Sequence, residues 1–177
     1  MLKTLRQIAG IGIVTEAPPP ADEALRVQAR LQEHIRGVLG RALCIRHVDA
    51  GSCNGCELEI HALSNPIYNL EGLGIRLVAS PRHADLLLVT GPVSRHMELA
   101  LRRTYDAMPA PKLVVAIGDC GCTGGIFGAS YASLGAVSNV LPVDVVVPGC
   151  PPSPTRILQG ILTAIARDSG AASPERP

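Results

Sequence analysis

Five short apolar runs limit what this chain can fold into. Cys44–Val48, Ile75–Ala79, Leu86–Thr90, Leu113–Ile117 and Val143–Val147 are rich in Val, Leu and Ile and show no regular polar alternation. Parallel strands buried on both faces have this pattern. Helical patterns lie between them, over Glu57–Leu63, Met97–Asp106 and Thr155–Ala166. Strand alternating with helix predicts an α/β fold, an open and mainly parallel sheet with helices on both faces. Upstream, Leu25, Leu31, Ile35 and Val38 recur at helical spacing among charged residues, which predicts an amphipathic helix within residues 21–40. Residues 1–20 read as an arm closed by a proline run, 41–167 as the α/β domain, and 168–177 as a flexible tail rich in small residues and proline.

Composition narrows the function classes. Aromatic residues make up only 2% of the 177 and the formal net charge is +1, a poor match to a nucleic-acid reader, which needs a basic face and stacking platforms. No apolar run is long enough to cross a membrane. The N-terminal stretch lacks a cleavage-site pattern, and the only arginine pair, Arg102 and Arg103, lies deep in the chain. A cytoplasmic location is therefore expected. Six cysteines in that compartment point to metal or redox chemistry and away from a disulfide framework.

Four of the six follow predicted strand ends. Cys53 and Cys56 come after the first strand, in GSCNGCELE; Cys120 follows KLVVAIG; Cys150 follows VDVVVPG. Parallel strands leave the sheet along one edge, and ligands bind in the crevice there, so cysteines distant in sequence are brought to one place as a four-thiolate set. The CxxC spacing lets two thiolates reach neighbouring positions of one centre, with Gly55 allowing a tight turn. Glycines 118, 121, 124 and 125 make room around Cys120, and Pro151 and Pro152 turn the chain away after Cys150. An iron-sulfur cluster, a structural zinc and a dithiol at the CxxC alone are the three readings of this set. A zinc ribbon presents two CxxC knuckles, whereas this chain has one pair and two singles. Cys44 starts a strand at the opposite edge and reads as a buried apolar thiol. Cys122 reads as a passive neighbour, a substitute ligand or a redox-sensitive thiol.

The series GSCNGCELE, SPRHADLLLVTGPV, RRTYDAMPAPKLVVAIGDC, GGIF, LPVDVVVPGCPP and ILQGIL resembles the small subunit of energy-converting NiFe hydrogenases, including the formate hydrogenlyase type. It is also similar to the B subunit of respiratory complex I. The resemblance runs from about Cys44 to Ala166 and implies a flavodoxin-like fold with one 4Fe4S cluster held by Cys53, Cys56, Cys120 and Cys150. It implies an electron relay beside the nickel-iron site of a separate large subunit, with a ferredoxin-like iron-sulfur subunit and integral membrane subunits as further partners. The chain would then lie in the cytoplasm, peripheral to the inner membrane. Complex I relatives carry two adjacent cysteines where this chain has CNGC, which favours the hydrogenase branch and leaves a complex I-like subunit passing electrons to quinone as the alternative. Glu57 and Glu59 read as partner-facing carboxylates or as surface charge on a helix. Arg82 and His83 read as partner or loop residues, His47, His61 and His96 as structural or exposed, and Gly91 and Pro92 as shaping the pocket rim or as ordinary tight-turn residues.

Overall fold

The computed structural model describes residues 23–170. The expected arm at 1–20, and residues 171–177 of the expected tail, lie outside them. The chain runs α1 (Glu23–Leu39), β1 (Leu43–Asp49), α2 (Gly55–Ala62), β2 (Ile75–Leu77), β3 (Leu86–Thr90), α3 (Arg95–Asp106), β4 (Leu113–Ile117), α4 (Gly118–Thr123), β5 (Val145–Val147) and α5 (Pro154–Gly170). Five parallel strands form one sheet in the order β2-β1-β3-β4-β5. This is the flavodoxin-like order, whose topological switch point lies between β1 and β3.

All five residues of β3 and all five of β4 are buried, so these central strands need no polar face. Side chains alternate between two helical layers. Ile45, Leu86, Leu88, Val115, Ile117 and Val147 pack in one core with Leu31 and Ile35 of α1, Ile60 of α2 and Ile157, Ile161 and Ile165 of α5. Val48, Leu87, Val89, Val114 and Ala116 pack in another with Leu101 of α3 and with Val137, Val140 and Leu141. Gln28 of α1 donates to the Ile67 and Tyr68 carbonyls at 3.1 and 3.2 Å, anchoring α1 to the loop after α2.

β3 and β4 have the bounds read from the sequence. β2 and β5 are shorter than expected, and α4 was unexpected. A segment with two glycines in six residues carries little helix propensity, and α4 forms because Gly118 and Gly121 fit without side chains against the ends of the sheet. Helix α5 runs past Ala166 to Gly170. Leu88 is 1% exposed at the middle of the sheet, so Leu88→Ala is expected to cost about 2–5 kcal/mol of unfolding free energy, read as a lower denaturant midpoint with an unchanged slope.

Candidate metal centre

The strand ends place the four expected cysteines around one cavity. Cys53 lies in the loop after β1, Cys56 in the first turn of α2, Cys120 in α4 just beyond β4, and Cys150 in the loop beyond β5. All four line a cavity of about 160 Å³, together with Gly91 after β3 and Asp119. Cys53 and Cys150 are exposed while Cys56 and Cys120 are half-buried, so the cavity has a recessed wall and an open one.

Local backbone geometry sets each thiol. The turn before α2 is made by Asn54, which takes the left-handed conformation at φ 72° and caps the helix, with Gly55 already helical. That role was expected of Gly55; asparagine tolerates the left-handed region well enough to take it. Two glycines are demanded by the thiols themselves. A Cβ on Gly118, at φ +81°, would lie 2.6 Å from Cys56 Sγ, and a Cβ on Gly125 would lie 2.8 Å from Cys120 Sγ. Gly91 lines the cavity and is also a tight-turn residue, at φ +76°, where a Cβ would meet the Ser52 backbone N at 2.4 Å. Pro92 is buried and does not line the cavity.

Gathering thiols in a partly dry place opposes their ionisation. Burial, then Glu57 and the three other cysteines, push the Cys56 thiol up to about 12. Burial, followed by Cys150, Cys53 and Asp119, raises Cys120. Neighbouring thiols thus add to burial in raising Cys56 and Cys120, the two recessed members of the group.

The remaining cysteines stand apart. Cys44 is half-buried near the start of β1, at the opposite edge of the sheet, with Sγ 3.9 Å from the Ala42 carbonyl oxygen. Cys122 turns away from the cavity, with Sγ 3.9 Å from the Ala116 carbonyl oxygen. Burial raises its thiol to about 11, against the Val147 N–H that favours the thiolate.

Glu57 differs from both sequence readings. It is 7% exposed, lying under α2 rather than on the surface, and neither carboxylate oxygen has a hydrogen-bond partner. His47 Nε2 lies 3.8 Å from Glu57 Oε1 and 3.0 Å from Thr90 Oγ1, and burial lowers the His47 pKa despite that carboxylate. Glu59 is half-buried, His61 and His96 are exposed, and Arg82 and His83 sit on a turn at the far edge of the sheet. Sequence alone gives no role to Asp119 or to the side chains of Ile126, Phe127 and Tyr131, left exposed in the loop after α4.

A family model described as NADH ubiquinone oxidoreductase, 20 Kd subunit, matches residues 53–164. The chain is 43% identical over 145 residues to the probable membrane-bound hydrogenase subunit mbhJ of Pyrococcus furiosus, covering 82% of this chain and 86% of that one. It is 40% identical over 148 residues to formate hydrogenlyase subunit 7 of Escherichia coli, covering 84% of this chain and 57% of that one. A solved structure of the archaeal membrane-bound sulfane sulfur reductase matches with a TM-score of 0.65 and 32% identity, over 85% of this chain and 78% of that one. A match spanning more than half the chain, with relatives aligned over most of it, shows that the chain belongs to the NADH ubiquinone oxidoreductase 20 Kd subunit family, whose relatives named here are subunits of oxidoreductase complexes.

Proposed function

We propose that Cys53, Cys56, Cys120 and Cys150 hold one 4Fe4S cluster and that the chain is the electron-transfer subunit of a membrane-bound hydrogenase, next to the nickel-iron site of a partner large subunit. The observation that carries this reading is the single cavity lined by four thiols from three strand ends. Its donor set is all sulfur, which suits an iron-sulfur cluster. Gly118 and Gly125 stand where side chains would displace two of the thiols. Four thiols around a cavity of about 160 Å³ leave room for a polynuclear centre.

Bound there, a cluster of this kind takes up and releases single electrons at a potential tuned by its ligands, hydrogen bonds and exposure. The chain's own residues supply those settings. Cys56 and Cys120 hold the recessed side and limit water, and Cys56 must shed its proton on ligation because metal-bound thiols are deprotonated. Cys53 and Cys150 hold the open side, where electrons pass to or from a partner. Ile126 is 94% exposed and Tyr131 93%, in the loop that follows Cys120. Apolar side chains standing out in the loop that leaves α4 suit a permanent subunit interface. The large subunit is assigned to this face, with a ferredoxin-like subunit and membrane subunits completing the complex. In this reading attachment at the cytoplasmic face of the inner membrane runs through those partners; among the described residues no helix is long and apolar enough to cross a membrane.

A second reading, a complex I-like subunit passing electrons to quinone, is favoured by the family match itself. The CNGC spacing and the hydrogenase relatives favour the first. Nickel analysis and hydrogen-dependent reduction of the intact complex separate them. Nickel with a hydrogen-reducible cluster is expected, whereas absence of nickel together with quinone-dependent reoxidation supports the second reading.

Cys120→Ala and Cys150→Ala are each expected to remove or rearrange the cluster, while Cys44→Ala leaves its electron paramagnetic resonance signal in place. An unchanged signal in both ligand variants refutes the assignment. Gly118→Ala forces an alanine into a left-handed backbone, at about 1–2 kcal/mol, and pushes on Cys56 Sγ. Its expected mark is a displaced cluster signal, whereas Gly37→Ala, in open space on α1, leaves that signal unchanged.

A further inference from the structure

The β4–β5 ladder is closed by an aspartate at each end. Where the strands begin, the Asp144 N–H donates to the Val114 carbonyl at 2.9 Å, and Asp144 Oδ2 accepts from the Val114 N–H at 2.8 Å. Where they leave the sheet, the Asp119 N–H donates to the Gly149 carbonyl at 2.9 Å, and Asp119 Oδ1 accepts from the Gly149 N–H at 2.8 Å. Both rings join residues 30 apart in sequence, the same offset that pairs Val115 with Val145 and Ile117 with Val147. The second ring thus prolongs the strand register past the end of the sheet. One residue further on in each chain stand Cys120 and Cys150.

Ladder closure alone does not explain a carboxylate at this end. Asp119 also lines the thiol cavity, where a further negative group repels ionised sulfur. A group that costs local repulsion is retained where its hydrogen bonds fix something the site needs. The Thr123 hydroxyl donates to the Asp119 carbonyl at 3.0 Å, so the same residue is also tied into the far end of α4.

The geometry points to Asp119 as a positioning residue for the cluster, holding the Cys150 loop against the first turn of α4 so that the Cys120 and Cys150 thiolates keep a fixed separation. This rests on the assignment of the cluster to the four cysteines. Asp119 acts through the two ligands on either side of its ring and touches no reacting atom. Groups one step behind metal ligands typically change affinity or activity by about 10–100-fold when removed.

The test uses the intact complex, prepared anaerobically, with Asp119→Ala, Asp119→Asn, Asp144→Ala and Cys120→Ala. Iron content, the electron paramagnetic resonance signal lost in Cys120→Ala and its midpoint potential are measured for each. Asp119→Ala is expected to shift that signal and its potential and to lose cluster iron. Asp119→Asn, which keeps a side-chain oxygen to accept from the Gly149 N–H, restores the signal. Asp144→Ala, lacking the equivalent ring at the far edge, lowers the unfolding midpoint and leaves signal and potential alone. A native signal and potential in Asp119→Ala overturn the positioning role, as does an equal shift in Asp144→Ala or failure of Asp119→Asn to restore the signal. Persistence of every cluster signal in Cys120→Ala overturns the cluster assignment first, and the positioning role falls with it.

Discussion

Parallel strands all leave a sheet at the same edge, and the rest of this structure follows from that polarity. The hydrogen-bond ladders that join β1, β3, β4 and β5 bring residues 53, 56, 120 and 150 to one cavity although nearly a hundred positions separate the first from the last. Burying β3 and β4 completely gives those ladders a dry core on both sides and leaves little freedom for the strand ends to drift. The loops that carry the thiols can therefore be short and rich in glycine, because the sheet supplies the rigidity they lack.

Collecting four thiols in one half-buried place is electrostatically unfavourable until something cationic joins them. The upward push on Cys56 and Cys120 records that cost, burial acting first and neighbouring thiols and carboxylates after it. Steric design runs in the opposite direction. Gly118 and Gly125 hold open the space beside Cys56 and Cys120, so the chain spends conformational freedom to keep the thiols accessible. The buried Glu57, whose carboxylate has no hydrogen-bond partner, belongs to the same compromise: it lies in the first turn of α2 beside His47, where a purely structural layer would carry an apolar side chain.

Much of this was legible from residues alone, and the reasons differ from element to element. Leu86–Thr90 and Leu113–Ile117 were read with their observed bounds because a strand buried on both faces leaves an uninterrupted apolar run. The gathering of the four cysteines followed from strand polarity, which needs no knowledge of side-chain positions. Helix α4 escaped notice because its glycines answer to tertiary fit and speak against a helix in any local reading. Asn54 does not stand out in the sequence because Gly55 beside it is the commoner residue for a left-handed turn. Glu57 escaped because burial of a carboxylate leaves no trace in periodicity, and Asp119 because its partner lies on another strand end.

The register between β4 and β5 has an evolutionary consequence. Cross-strand hydrogen bonds, and not the intervening chain, determine how far apart Cys120 and Cys150 stand. The exposed part of that chain around Ile126 and Tyr131 is thereby released to lengthen, shorten or change its surface as a lineage acquires new neighbours, while Gly125 stays against Cys120 and Val137, Val140 and Leu141 stay in the core. A search for relatives by fixed cysteine spacing would miss such drift. Asking which residue comes just after each parallel strand would find them.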